Sequence, residues 1–170
     1  AARYIGGEVN SVMKDKNKVD IRFAMCFPDV YEIGMSNLGM MILYNMFNER
    51  EDVWAERVFS PWLDLDKIMR EKEIPLFALE SQEPIRDFDF LGITIGYEMC
   101  YTNILQVLDL SGIPLKSADR GEDFPIVIGG GACAYNPEPL APFFDMFYIG
   151  EGETVYDCCG KSSPARCICP

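Results

Sequence analysis

The sequence predicts an α/β fold, in which a parallel sheet carries helices on both faces. Three observations lead to this prediction. Segments rich in β-branched and aromatic residues alternate with segments of helical apolar spacing, which is typical of strands joined by crossover helices. Several strand-like segments are apolar on both faces, as in a buried parallel sheet. The length of 170 residues suits one domain.

The first two predicted elements follow a polar N-terminal arm, residues 1–18. A strand is predicted in "VDIRFAMCF" (19–27), because the segment alternates and then becomes wholly apolar from Phe23. A helix is predicted in "MSNLGMMILYNMFNER", with Ser36 as its N-cap. This helix is apolar on nearly all sides, so we expect it to be covered on more than one side.

The alternation continues along the rest of the chain. Gly112 is predicted to end the helix at 101–113. The remaining predicted elements are a strand (53–59), a helix (65–73), an extended segment (74–80), a strand (88–97), a helix (101–113), a strand (124–131), a short helix started by proline (136–144) and a last strand and turn (145–153).

Residues 157–170 differ in character from the preceding domain, 19–156. They lack apolar periodicity and contain four of the seven cysteines, in the pattern Cys-Cys-x7-Cys-x-Cys. This pattern fits neither the paired zinc spacings nor a cluster loop, so no metal site is predicted and the tail is expected to be aberrant or disordered. A truncation or a frameshift near codon 156 would produce such a tail. The first residue is not Met, and we expect the chain to be part of a longer one.

Composition excludes several classes of function. With 15 basic and 27 acidic residues the net charge is -12, which disfavours nucleic acid as a direct partner. There is no run of 18 apolar residues to cross a membrane. The chain has no histidine, which excludes histidine-based triads and histidine-ligated metals. Single cysteines within apolar stretches, such as Cys100 and Cys133, are predicted to be buried small hydrophobes, and they indicate a reducing, cytoplasmic location.

The turns that follow the predicted strands are the candidate binding segments, because ligands of such sheets bind beyond the carboxyl ends of the strands. Neither G-x-G-x-x-G nor G-x4-G-K-[ST] occurs in the first turn, so a dinucleotide or triphosphate site is not supported. Each turn also has a simpler interpretation as a tight turn only. The segments are 29–34, 94–98, 129–131 and 150–153.

These segments together resemble one family. Asp29-x-Tyr31-x-x-Gly34 resembles the Asp-x-His-x-x-Gly signature of cobalamin-binding domains, and "VIGGG" resembles the glycine turn that faces the corrin in that Rossmann-like, flavodoxin-like fold. "ARYIGGE", "FPDVYEIGMSNLG", "PLFALES", "GGGACAYNPEPLAPFFD" and "IGEGE" resemble the N-terminal region of uncharacterised radical SAM proteins that are fused or adjacent to a domain of unknown function, DUF2344. The resemblance covers residues 2–156.

The resemblance implies a cobalamin-binding-like accessory domain whose partner is the radical SAM core of the parent chain. It implies cofactor-binding roles for Asp29, Tyr31, Gly34, Thr94, Gly129, Gly130 and Gly131, with Glu151 and Glu153 at the domain junction. No catalytic residue is predicted, and the fragment is expected not to be catalytic alone.

Two departures from the family pattern bear on the cofactor. Tyr31 stands where the cobalt-ligating histidine is expected, and a phenol is a poor cobalt donor at neutral pH. The C-x3-C-x2-C motif, which holds an iron-sulfur cluster and leaves one iron open for S-adenosylmethionine, does not occur in the 170 residues. The alternative interpretation is a vestigial, cofactor-free packing and substrate-docking module, in which Tyr31 and Tyr97 fill the crevice.

Overall fold

A five-stranded parallel sheet forms the centre of the protein. The structure, a computed structural model, describes residues 2–150 and residue 152. The strand order is β2-β1-β3-β4-β5, and every pairing is parallel, so the predicted α/β architecture is confirmed. The strands are β1 (Ile21–Phe27), β2 (Val53–Phe59), β3 (Phe90–Thr94), β4 (Ile126–Gly130) and β5 (Met146–Phe147).

Helices connect the strands, and one predicted cap is wrong. The side chain of Asn37, not Ser36, caps α2, where it accepts a hydrogen bond from the Met40 N–H at 2.9 Å. The Ser36 hydroxyl does not cap α2 because it donates to the carbonyl of Ile33 at the end of the short helix α1. Gly112 has a φ of +67° after α4, which confirms the predicted stop. The helices are α1 (Tyr31–Gly34), α2 (Leu38–Glu49), α3 (Leu63–Lys72) and α4 (Tyr101–Leu110).

Two hydrophobic layers cover the sheet. On one face, Met40 and Tyr44 of α2 pack against Met25 and Phe27 of β1 and Ala55 of β2. The opposite face carries the larger core, to which α3, α4 and the segment around Leu140 contribute. Helices therefore lie on both faces, as predicted. None of the helices in the described part of the chain is long and apolar enough to cross a membrane.

The N-terminal arm is attached to the end of α2. The ammonium group of Lys14 donates to the carbonyl oxygens of Asn48, Arg50 and Val53 at 2.9, 2.5 and 2.6 Å. A cation at this place complements the carbonyl groups left free at a helix C-terminus. The Val12 N–H also donates to the Tyr44 hydroxyl at 2.7 Å, so the arm is part of the fold.

The segment 74–80, predicted to be extended, runs beside the outer edge of the sheet. The Leu79 N–H donates to the Arg57 carbonyl of β2 at 2.8 Å, and Phe77 forms an isolated antiparallel bridge with Pro84. The predicted short helix 136–144 is a 3-10 helix, Glu138–Phe143, and a second one precedes it at Ala132–Tyr135. Both lie after β4 and lead the chain to β5.

Candidate functional site

The candidate site lies where the strand order reverses, between β1 and β3. In this strand order, ligands bind beyond the carboxyl ends of those two strands. The loop after β1 contains Asp29, and the loop after β3 contains Tyr97. The Tyr97 hydroxyl donates a hydrogen bond to the Asp29 carboxylate. The Asn103 amide of α4 donates to the Pro28 carbonyl at 2.9 Å, so the loop after β1 is held both by the loop after β3 and by α4.

The contact between Tyr97 and Asp29 keeps the phenol protonated. The hydrogen bond to the Asp29 carboxylate, with some burial and the charge of that carboxylate, raises the pKa of Tyr97 to about 12. Asp29 is also fixed on its other side, because its second carboxylate oxygen accepts the Val30 N–H at 2.7 Å. The Asp29 carboxylate therefore accepts a hydrogen bond from each of two segments, the Tyr97 hydroxyl and the adjacent backbone.

The three glycines of the turn after β4 have different surroundings: two are packed against other residues, and one faces open space. Gly131 has a φ of +100°, and a Cβ atom there would lie 2.9 Å from the Ile95 carbonyl oxygen. A Cβ atom on Gly129 would lie 2.8 Å from the ring of Phe147. Gly130, which pairs with Thr94 in the ladder, has no atom of the described residues within 4 Å of that position. Of the three predicted glycines, Gly130 is the one that leaves room for a ligand.

Gly96 adds to this open space. A Cβ atom on Gly96 would also have no neighbour within 4 Å in the part of the chain that the structure describes, and the glycine is exposed. The Ile95 N–H donates to the Gly130 carbonyl at 2.6 Å, which joins the end of β3 to the glycine turn. Gly96, Gly130 and the half-buried Thr94 therefore form an open surface beside the Tyr97 contact.

Tyr31 points away from this surface. Its hydroxyl donates to Glu8 of the arm at 2.7 Å, and its ring meets Phe59 edge-on, with the ring centres 5.5 Å apart. Burial, followed by the hydrogen bond to Glu8, raises the pKa of Tyr31 to about 12. A neutral phenol whose proton is directed to a carboxylate does not fit a cobalt ligand. Gly34 is buried under the Phe59 ring, so it packs rather than lines the crevice.

A buried charge cluster, formed by Arg57, Glu80, Glu8 and Ser11, was missed by sequence reasoning. The Arg57 guanidinium is fully buried and bonds to Glu80 at 2.5 Å, to Glu8 at 2.9 Å and to the Ser11 hydroxyl at 2.9 Å. It also lies 4.9 Å from the centre of the Tyr44 ring. Three of the motifs that resemble the family meet here, since Glu8, Tyr31 and Glu80 belong to "ARYIGGE", "DVYEIG" and "FALES".

A signal for this cluster is present in the sequence. "VWAERVF" places two adjacent charged residues inside an otherwise apolar strand, and such charges need partners when the strand is buried. Glu56 is also fully buried, and it bonds to Arg22 at 2.5 Å and to the Ser81 N–H at 2.9 Å. Both charges of β2 are therefore neutralised by residues distant in sequence.

The described cysteines have the character of packing residues. Cys26 and Cys100 are buried, and Cys133 is half-buried. Burial raises the pKa of all three thiols, which disfavours the reactive thiolate. The other four cysteines, as well as Glu151, Glu153 and the predicted aberrant tail, lie outside the described residues.

The carboxyl edge of the sheet exposes large apolar side chains. Met99 is 84% exposed and Tyr135 is 71% exposed. Leu38, which follows β1, and Ile149, which follows β5, are exposed as well. By contrast, a depression of about 600 Å³ lies at the opposite, amino edge of the sheet, where its lining includes Asp87, Asp89, Glu122 and Asp123.

Comparisons with known proteins identify relatives of this chain. It is 26% identical over 131 residues to "Uncharacterized protein MJ0966" of Methanocaldococcus jannaschii, which covers 76% of this chain and 24% of that protein. The chain therefore spans about a quarter of the length of this relative. The crystal structure of a novel cobalamin-binding protein from Desulfitobacterium hafniense has a TM-score of 0.44 and 13% identity, over 86% of this chain and 60% of that one.

The family match covers the part of the site that follows residue 38 and leaves out Asp29, Tyr31 and Gly34. The family described as radical SAM proteins, N-terminal, matches residues 39–162, which include β2 to β5, Arg57 and Glu80 of the buried charge cluster, and the glycine turn. The resemblance noted from the sequence motifs is confirmed at the level of the family. This chain belongs to the N-terminal region family of the radical SAM proteins.

Proposed function

We propose that the chain is an accessory N-terminal domain of a radical SAM enzyme, and that its carboxyl edge packs against the radical core of the parent chain. The observation that carries this proposal is the exposed apolar surface at that edge. Met99 and Tyr135 are largely exposed, and they follow β3, which borders the switch point, and its neighbour β4. Exposed apolar side chains at one edge of a fold are candidate interaction sites, and the matching family is described as the N-terminal part of radical SAM proteins.

The catalytic chemistry belongs, in this proposal, to the rest of the parent protein. The C-x3-C-x2-C motif, which would hold the iron-sulfur cluster, does not occur in this sequence. The relative from Methanocaldococcus jannaschii is about four times as long as the matched region, since that region covers 24% of it. The domain contributes a surface beside the active site rather than the reacting groups.

The contact between Tyr97 and Asp29 favours the cofactor-free form of this function. It bridges the two loops between which a ligand would enter, and Tyr31 offers no ligand to cobalt because its hydroxyl is bonded to Glu8. In this form, the carboxyl edge docks the core or the substrate directly.

Cobalamin binding is the second candidate, favoured by the open space at Gly96 and Gly130. A corrin held there would supply cobalt chemistry without a lower ligand from the protein, and backbone groups of the glycine turn would hold it. Titration of the 170-residue chain with hydroxocobalamin distinguishes the two forms. A change in the corrin absorption spectrum and heat of binding at tens of micromolar support the second form, and no change supports the first.

The docking of the domain on the core is tested in the full-length protein. Met99→Asp with Tyr135→Asp should weaken contact with the core, measured as faster limited proteolysis between the two parts and slower cleavage of S-adenosylmethionine. The control is Ile68→Asp, because Ile68 is an exposed apolar residue of α3 away from this edge. Equal behaviour of the double variant and the control would contradict the docking proposal.

A further inference from the structure

The short helix α1 connects the N-terminal arm with the candidate crevice. Asp29, which comes just before α1, accepts the hydrogen bond from the Tyr97 hydroxyl. Tyr31, the first residue of α1, donates its own hydroxyl hydrogen bond to Glu8 of the arm at 2.7 Å. One short segment of the chain therefore carries both the contact with the arm and the contact that joins the two crevice loops.

The cluster around Arg57 holds α1 at both ends. The Glu8 carboxylate binds the Tyr31 hydroxyl at the start of α1, and it also accepts a hydrogen bond from the Arg57 guanidinium at 2.9 Å. The same guanidinium donates to the sulfur atom of Met35 at 3.1 Å, just after the end of α1. Glu8 is thus the residue of the arm that joins both the helix and the buried cation.

Helix α1 has few other contacts that fix its position. It is four residues long, and a helix of about one turn is not stable by itself. Within the described residues, no side chain caps its N-terminus, and Gly34 is its one buried residue. The Tyr31 ring packs on Phe59, and Glu32 forms an exposed ion pair with Arg3 of the arm at 2.5 Å. The position of α1 therefore depends to a large extent on the arm.

The Asp29 carboxylate links the position of α1 to Tyr97. The Asp29 carbonyl accepts the Ser60 N–H at 2.9 Å, so the main chain is fixed up to this residue. The carboxylate, however, accepts the N–H of Val30 at 2.7 Å, and Val30 must move whenever α1 moves. A displacement of α1 would therefore turn the carboxylate and take the acceptor away from the Tyr97 hydroxyl.

We propose that residues 2–11 of the arm, which we call the strap, control the contact between Tyr97 and Asp29 and thereby the opening of the candidate crevice. With Glu8 bound, α1 is fixed and the contact is closed. When the strap leaves, α1 shifts and the contact opens, while Val12 and Lys14 keep the rest of the arm on α2. Coupling of this kind is reciprocal, so a ligand that separates the two crevice loops would also loosen the strap. The inference does not depend on the proposed function or on cobalamin.

NMR of the tyrosine rings at pH 7 tests the proposal on the full 170-residue chain. The ring signals of Tyr97, assigned by their loss in Tyr97→Phe, report whether its hydroxyl has an acceptor, and Asp29→Ala gives their position with the contact open. Glu8→Gln should move these signals most of the way to the Asp29→Ala position. Tyr31→Phe removes the same hydrogen bond but leaves the ion pair of Glu8 with Arg57, so it should move them in the same direction by a smaller amount.

The matched control is Glu83→Gln. Glu83 also pairs with an arginine of the sheet, Arg22, and with a residue of the arm, Lys16. Arg22 is near the start of β1, whereas α1 follows the end of that strand, so the Tyr97 signals should stay in place. Signals that neither strap variant moves, or that the control moves equally, would overturn the proposal. If the Glu8 variant loses the dispersed spectrum of a folded protein, the phenylalanine variant decides by the same criterion.

Discussion

Arg57 and Glu80 form an ion pair in which both side chains are fully buried and their atoms are 2.5 Å apart. The Glu80 carboxylate also accepts the backbone N–H of Arg57 at 2.7 Å. One carboxylate therefore binds the side chain and the main chain of the same residue of the edge strand. Glu8 and Ser11 complete the cluster from the arm, so the cluster joins three separate segments of the chain.

Removal of Glu80 should destabilise the fold strongly. Glu80→Ala leaves the Arg57 charge buried without its main partner, which costs about 3–5 kcal/mol in the free energy of unfolding. Urea denaturation at pH 7 measures this loss. The control is Glu71→Ala, because Glu71 forms an exposed pair with Lys67, for which we expect less than about 1 kcal/mol. Similar values for the two variants would show that the cluster does not stabilise β2.

The hydroxyl of Tyr31 should serve stability rather than ligand binding. Tyr31→Phe removes the hydrogen bond to Glu8 but keeps the ring against Phe59, at an expected cost of about 1 kcal/mol. The matched control is Tyr4→Phe, since the Tyr4 hydroxyl donates to Asp64 at an exposed position, and its cost should be smaller. A cobalamin spectrum that changes in Tyr31→Phe, with unfolding free energy unaltered, would instead assign the phenol to the cofactor.

Acid should loosen the arm. Burial alone would raise the pKa of Glu8, but the hydrogen bonds from Tyr31 and Ser11 and the charge of Arg57 outweigh it and hold this pKa below its usual value. A carboxyl group with a lowered pKa in the folded state stabilises the fold above its unfolded pKa of about 4.3. That stability is lost as the pH falls through the folded pKa.

The measurement is the urea midpoint between pH 7 and acid pH, compared for the unaltered chain and Glu8→Gln. The variant cannot titrate at this position, so its midpoint should fall less steeply below about pH 4. Glu49→Gln, at an exposed position of α2, is the control and should retain the full slope. Parallel curves for all three proteins would exclude Glu8 as an acid-sensitive group.

Two adjacent glycines should respond differently to alanine. Gly131→Ala forces a side chain on a φ of +100° and places Cβ 2.9 Å from the Ile95 carbonyl, at an expected cost of about 1–3 kcal/mol. Gly130→Ala meets no atom within 4 Å among residues 2–150 and 152 and should change the free energy of unfolding by less than about 0.5 kcal/mol. Thermal or urea unfolding of the two variants decides between them. A larger loss in Gly130→Ala than in Gly131→Ala would contradict the described turn.

Alkali should open the contact between Tyr97 and Asp29. Because the folded pKa of Tyr97 is raised to about 12, its contribution to stability is present below the unfolded pKa of about 10 and is lost as the pH rises through the folded one. Tyr97→Phe should therefore show a weaker loss of stability between about pH 9 and about pH 12. Asp29→Asn should shift the Tyr97 titration, followed by NMR of its ring, towards the ordinary value. A titration that Asp29→Asn leaves unmoved would exclude the contact.

The strands and helices follow from local patterns, and the site only partly does. Alternation in 19–27 and the mainly apolar composition of 53–59 predict β1 and β2, because side-chain period and burial are properties of the strand itself. The sequence places Tyr31 after β1, but it does not show where the side chain points. That direction is set by the hydrogen bond from the Tyr31 hydroxyl to Glu8 of the arm. For Arg57, the sequence shows a charge inside an apolar strand, but the partner Glu80 is brought there by the course of 74–80 along the sheet edge.

The course of 74–80 also decides how the sheet can grow. Along the outer side of β2, the Leu79 N–H donates a hydrogen bond to the Arg57 carbonyl. The Glu80 carboxylate accepts the Arg57 N–H, and the Glu56 carboxylate accepts the Ser81 N–H. An unprotected edge strand is a template for pairing with another molecule, and this edge is sealed by the protein's own chain. The other end of the sheet is the two-residue strand β5. A further strand that joins this sheet, in evolution or in assembly, is thus directed to the β5 side.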